Sequence, residues 1–369
     1  MSKNEHKVHE PLFHIAKRDK LSGVKSLIIR IISVLVALVA CGILIVALTG
    51  ENPISVYATM IDGAVGTSRR FWNLLQGTAI LLCISLAVTP AFKMRFWNIG
   101  AEGQVLIGGL ATAYVMMFYG DRLSTPLLFL VIIVACIAAG ALWAIIPAIF
   151  KAFFNTNETL FTLMMNYIAI QLVSYFAYVN SNPAGSGTIG LINSNTQVGW
   201  LPKIGDNSYL INILIVAALT VIMYIYLRYS KHGYELTVVG ESENTANYIG
   251  INVRKVIIRT VAISGALCGI AGMLLVSGTD HTITSETAGG RGFTAIIVSW
   301  LGKFNPIYMV VTSLLIVFLE KGATRISTVF ELNSSFSDII TGIIIFFIIG
   351  SEFFINYQIK FNHSHKEGK

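Results

Sequence analysis

The chain has 369 residues, of which 54% are hydrophobic and 12% charged, with a formal net charge of +7 and a mean hydropathy of +0.70. Soluble domains carry about 25% charged residues, so this composition excludes a soluble enzyme and describes a polytopic membrane protein. The positive charge then follows from where basic residues lie along the chain, and no nucleic-acid partner is implied.

A spanning helix needs about 20 apolar residues. Residues 1–26 are polar and basic, a segment expected on the cytoplasmic side. The first apolar run, 27–48, follows that long charged stretch and precedes no small-residue cleavage site, so it reads as a retained helix rather than a removed leader. Glu51 to Arg70 reads as a polar connection. Further segments are predicted at 72–91, 99–118, 126–150 (with a bend at Pro147), 159–179, 208–228 and 256–277. Two short apolar runs, Phe293–Leu301 and Ile307–Leu319, lie on either side of Gly302-Lys303-Phe304-Asn305-Pro306, and a last segment covers 339–355. The tail, 357–369, is basic. The domain reading is thus a transmembrane domain at 27–356, with a polar connection at 229–255, between two terminal segments.

Counting the short runs as half-length or tilted crossings makes ten segments. With the N-terminus inside, the inner pieces hold 19 of the 26 Lys and Arg residues, as the positive-inside rule requires. Fusing the short runs would put the basic tail outside. The expectation is therefore an all-α protein of about ten transmembrane helices, some short or broken, with both termini cytoplasmic.

Chemistry-bearing motifs are sparse. No Gly-x-x-x-x-Gly-Lys-Ser/Thr occurs, so the chain has no P-loop of its own. Gly185, Gly187 and Gly190 form a Gly-x-Gly-x-x-Gly, but in an outer loop without a preceding strand. The histidines gather in the tails (His6, His9, His14, His363, His365), and none has zinc-ligand spacing with a partner. Cys41, Cys83, Cys136 and Cys268 each sit in an apolar run, as small hydrophobes do. No nucleophile, base and orienting residue assemble into an enzyme.

Three stretches stand out. Phe96 to Gly109 places Asn98, Glu102, Gln104 and four glycines beside apolar segments. Polar groups there must face protein or water. A helical pitch puts Asn98 and Glu102 on one face, and Gly100, Gln104 and Gly108 on another. Two readings stand: a tightly packed polar element inside the bundle, or a helix start at the membrane surface with Asn98 capping it and Glu102 near its N-terminus. Next, Glu241 to Tyr248 reads as a short helix bounded by Gly240 and Gly250, with Ser242 or Glu241 at its start; it suits docking on a partner, or lying on the headgroups. Last, Gly265, Gly269 and Gly272 mark close helix packing. Asp280, Glu286 and Arg291 fall in a Gly-rich loop, 278–292, expected outside as a solvated loop, with a channel mouth or a partner as the alternative they could face.

In this order, Asn98-Ile99-Gly100-Ala101-Glu102-Gly103-Gln104, the loop Gly240 to Ile251, Gly265 to Gly272, and Gly292-Phe293-Thr294-Ala295-Ile296 leading to Leu301-Gly302-Lys303-Phe304-Asn305-Pro306 resemble the permease subunit of ATP-binding-cassette importers of sugars, nucleosides and branched-chain amino acids. Phe96-Trp97-Asn98 looks most like the nucleoside-uptake subgroup. The resemblance covers about residues 25–355. It implies a bacterial plasma-membrane protein, a second and often non-identical permease chain, and separate ATPase subunits that bind the ATP. A substrate-binding lipoprotein or periplasmic protein would deliver the solute. It makes Gly240, Glu241, Ala246, Tyr248 and Gly250 part of a coupling helix that docks on the ATPase. Ser242, Glu243 and Thr245 depart from the usual Asn, Pro and Ala of that pattern and point to a dedicated ATPase. Gly100, Gly103, Gly265, Gly269 and Gly272 are expected in helix packing, and Asn98, Glu102, Gln104, Asn166 and Gln171 as candidate pathway residues; Asn166 and Gln171 equally suit interhelical hydrogen bonds. The expected solute is a nucleoside, with a simple sugar such as ribose as the alternative. The rival classes are a secondary transporter using Glu102 and a non-transporting scaffold.

Overall fold

In the computed structural model of the protein, residues 13–18, 23–205 and 207–361 are described. Most of the basic N-terminal segment, including His6 and His9, and most of the tail, including His363 and His365, lie outside the described residues. The chain divides into two units, 65–318 and a smaller one made of 1–64 with 319–369.

The larger unit is a helical bundle. Its helices are α3 (Ser68–Lys93), α4 (Ala101–Tyr119), α5 (Thr125–Phe154), α6 (Glu158–Val179), α7 (Leu210–Tyr229), α8 (Lys231–Glu241), α9 (Glu243–Tyr248), α10 (Val253–Leu275), α11 (Arg291–Leu301) and the first part of α12 (Pro306–Val329). Helix starts follow local chemistry. Thr67, Asn157 and Asn252 cap α3, α6 and α10 by accepting backbone N–H groups of Arg70, Leu160 and Lys255. Asn155 closes α5 in the left-handed conformation. A π-turn, Val276–Asp280, ends α10.

Glycines bring α10 against α5 and α4. A Cβ on Gly269 would strike the Cys136 carbonyl, one on Gly265 the Gly140 carbonyl, and one on Gly272 the Val105 carbonyl. From α4, a Cβ on Gly108 would strike Gly269 itself. These helices pack backbone to backbone, where van der Waals contact replaces the solvent-driven hydrophobic effect.

The smaller unit contains α1 (Gly23–Thr49), α2 (Pro53–Val65), the end of α12, and α13 (Ser334–Asn356). Strands β1 (Phe13–Lys17) and β2 (Tyr357–Phe361) pair antiparallel, with Phe13 opposite Phe361. Arg30 meets Glu352 at 2.5 Å.

Among the described residues, nine helices are long and apolar enough to cross a membrane, and Arg291–Leu301 is a shorter apolar one. The all-α architecture is thus as expected, but of the two short runs only Phe293–Leu301 stays short. Three boundaries differ. Pro53–Val65 is a helix rather than a polar connection, because Val56, Met60 and Ala64 recur at helical spacing on one buried face. The ninth segment continues past Leu319 to Val329, its Thr324 and Thr328 hydroxyls bonding back to carbonyls four residues earlier. Two helices, not one, fill the connection after α7.

Candidate functional site

The α3–α4 joint is built by buried polar side chains. The Asn98 side chain accepts the Gly100 N–H at 3.1 Å and exchanges two bonds with Gln104, at 3.1 and 3.3 Å. It also donates to Ser264 Oγ on α10, 3.1 Å away. Asn98 therefore precedes the helix, and the expected pairing of its face with that of Glu102 gives way to contact with Gln104. From α6, Asn166 accepts the Gly103 N–H at 2.8 Å and donates to the Ile99 carbonyl at 2.9 Å. Thr162 receives the Ile99 N–H at 3.2 Å. These side chains satisfy backbone groups that a helix start leaves unpaired. Gly100 and Gly103 pack here because a Cβ would crowd Thr162 or Asn166. Gln171 lies apart, exposed on α6.

Glu102, buried in the first turn of α4, caps another helix. Its two carboxylate oxygens accept the N–H groups of Gly290 and Gly292, each at 2.7 Å. The positive end of α11 is thus met by a carboxylate. Of the two readings of this stretch, a helix start with Glu102 near it is correct in sequence and the buried, packed setting is correct in space.

The capping contact also relocates the Gly-rich loop. His281 stacks on Trp200 with ring centroids 3.6 Å apart and planes 3° apart, in a loop whose Asn193 bonds the Met116 carbonyl near the far end of α4. Ile283 then lies beside Gly109, and Gly290 reaches Glu102. The stretch descends along α4 by about 10 Å at 1.5 Å per residue, rather than remaining outside. α11, with eleven residues, continues to Ser299, whose hydroxyl bonds the Ser85 carbonyl at 3.0 Å. Its length of about 16 Å is half a hydrocarbon core. Sequence reasoning missed Thr162 and Gly290 and the partners of Ser264 and Gly292; the Gly289-Gly290 pair just before an apolar run was the available signal.

A second polar feature is the α8–α9 foot. Gly233, Leu236, Val239 and Gly240 form the buried stripe of α8. A Cβ on Gly240 would meet the Lys93 carbonyl, so this glycine is packed inside α8 rather than bounding a helix. Arg259 holds Glu235 at 2.9 Å, tying α8 to α10. Ser242 caps α9 by accepting the Thr245 N–H at 3.2 Å. Ala246 is buried, Glu241 is exposed, Gly250 turns the chain at φ +85°, and Tyr248 is 92% exposed. α9 therefore presents an aromatic ring that none of the described residues covers.

Residues 70–349 match the family described as branched-chain amino acid transport system, permease component. The chain belongs to this permease family. It is a multi-pass integral protein of the bacterial plasma membrane. Among its relatives, the guanosine ABC transporter permease protein NupP of Bacillus subtilis is 31% identical over 91% of this chain and 95% of its own. The glucose ABC transporter permease protein TsgB13 of Haloferax volcanii is 28% identical over 89% of this chain and 88% of its own. The nucleoside ABC transporter permease protein NupB of Lactococcus lactis is 28% identical over 83% of this chain and 86% of its own. No solved structure matches.

Proposed function

We propose that this chain is the membrane-spanning permease subunit of an ATP-binding-cassette importer for a nucleoside. The observation that carries the reading is the 31% identity to a guanosine permease along 95% of that protein. ATP is bound by separate ATPase subunits, and this chain has no ATPase site of its own. A second permease chain completes the pathway, and a substrate-binding lipoprotein delivers the solute.

In this reading the α8–α9 foot, Lys231 to Tyr248, docks on the ATPase. Gly240, Ala246 and Gly250 shape it, and Glu241 and Tyr248 offer the contact. The bundle moves because the foot meets the two ATPase states differently, as any driven equilibrium requires. Asn98, Glu102, Gln104 and Asn166 serve the pathway by fixing the wall at the α3–α4 joint, and Gln171 through its exposed place on α6.

The test is uptake of labelled guanosine by vesicles holding the complete transporter. ATP-dependent accumulation that vanishes without the ATPase supports the importer. Accumulation by this chain alone overturns it. Similarity to a glucose permease over 89% of the chain favours a sugar as the second reading, and competition by glucose or ribose rather than guanosine would select it. The secondary-transporter rival requires proton-driven uptake that Glu102→Gln abolishes.

A further inference from the structure

We propose that the exposed side of the stretch Thr284 to Thr294 lines the water-filled pathway, with Glu286, Arg291 and Phe293 touching the passing solute. The part that names the solute rests on the nucleoside reading above; the part that places water there does not.

The stretch from His281 to Gly290 is not helical, yet it runs down the side of α4 from Gly109 to Glu102. α4 belongs to the membrane-crossing helices. Irregular backbone at that depth is tolerated where protein buries it or water bathes it, never against lipid. One side of this stretch is buried: Ile283, Thr287 and Ala288 pack inward. The other side is not. Glu286 and Gly289 are exposed, Arg291 is half-buried, and Phe293 is 44% exposed. A carboxylate and a guanidinium facing hydrocarbon would be among the costliest arrangements a membrane protein can adopt.

The local geometry holds this side out. Thr287 and Thr284 close a turn through their backbone and hydroxyl bonds, at 3.1 and 2.9 Å. The Arg291 N–H returns to the Ala288 carbonyl at 3.1 Å. Glu102, gripping Gly290 and Gly292, then fixes where α11 begins. One acceptor, one planar donor and one aromatic ring are thus presented together. That set, with one charge of each sign, suits a neutral, flat, hydrogen-bonding solute.

The four native cysteines are all buried, which favours thiol mapping. Glu286→Cys, Phe293→Cys and, as a control exposed on the apolar membrane-crossing helix α5, Leu142→Cys would be made in the complete transporter in membranes. Each is exposed to a charged, membrane-impermeant methanethiosulfonate reagent with and without guanosine. Labelling needs a thiolate in water, so Glu286→Cys and Phe293→Cys should react about tenfold faster than Leu142→Cys, and guanosine should slow both. Labelling no faster than the control, with all three thiols reactive after denaturation, overturns the pathway assignment and points to the second permease covering this side. Fast labelling that guanosine leaves unchanged, in a transporter that takes up guanosine, overturns the solute contact. If the wild-type complex takes up no guanosine, the nucleoside reading fails by itself, and the rate against Leu142→Cys still decides where the water runs.

Discussion

The carboxylate of Glu102, on α4, accepts the backbone N–H of Gly292, on α11, at 2.7 Å across 190 residues of chain. Gly290 donates to its other oxygen at the same distance. A Cβ on Gly292 would press on the Glu102 backbone and carboxylate, so the two residues are matched in size as well as in hydrogen bonding. Glu102→Ala leaves one buried and one part-buried N–H group unpaired and should cost about 2–4 kcal/mol. Glu102→Gln keeps one acceptor oxygen and should cost about half as much. Thermal unfolding of the purified chain in detergent would order the variants; equal stability for Ala and wild type would show that the cap carries no weight.

Packing at Gly269 admits no side chain. Gly269→Ala would set a methyl group against the Cys136 carbonyl, and overpacking of this kind costs about 1–3 kcal/mol. Gly342 on α13 has open space around it, so Gly342→Ala should be neutral or stabilising by up to about 1 kcal/mol. The comparison is read as folded yield and melting temperature of the two variants side by side.

The foot should separate stability from coupling. Tyr248→Ala removes an exposed ring and should leave the melting temperature unchanged, while lowering solute-stimulated ATP hydrolysis by the assembled complex. Ser242→Ala removes the cap of α9 and should cost about 1 kcal/mol locally. Full stimulation in Tyr248→Ala would remove this residue from the docking surface.

Burial, and then the nearby Lys203 ammonium, hold the His281 imidazole below its ordinary value of 6.5. Between the lowered folded pKa and the unfolded value of about 6.5, the unfolded chain binds more protons than the folded one. The stabilising contribution is therefore complete above about pH 6.5 and is lost as pH falls toward the folded pKa. Melting temperature should decline below about pH 6.5, and the decline should shrink in His281→Gln. Identical pH profiles for the two proteins would exclude His281 as the source.

The legible parts of this fold were those with a local signature. Gly265 and Gly269 stand four apart and pack as that spacing promises, and the apolar runs gave most crossings within a few residues, the exception being the ninth, which runs ten residues past Leu319 to Val329. Asn98 and Glu102 were recognisable as out of place in an apolar setting, but not their partners. Asn166 is 63 residues from Gly103 in sequence and Gly290 is 188 from Glu102, and one sequence carries no record of such pairings. The α8 helix was hidden because Gly233 and Gly240, breakers by propensity, serve instead as contact points. The descent of the 281–290 stretch was hidden because glycine and threonine read as an outer turn whether or not the chain turns back into the bundle.

The glycine contacts among α4, α5 and α10 bear on what can move. Where backbones touch, there is no rotamer to yield and no side chain to lean. Small slips between these three helices are then blocked, since each would drive one main chain into another. The trio should travel as a single slab, with the start of α11 held to it by Glu102, and relative displacement during a work cycle is left to elements outside that slab. Cross-linking α10 to α5 should consequently leave turnover intact.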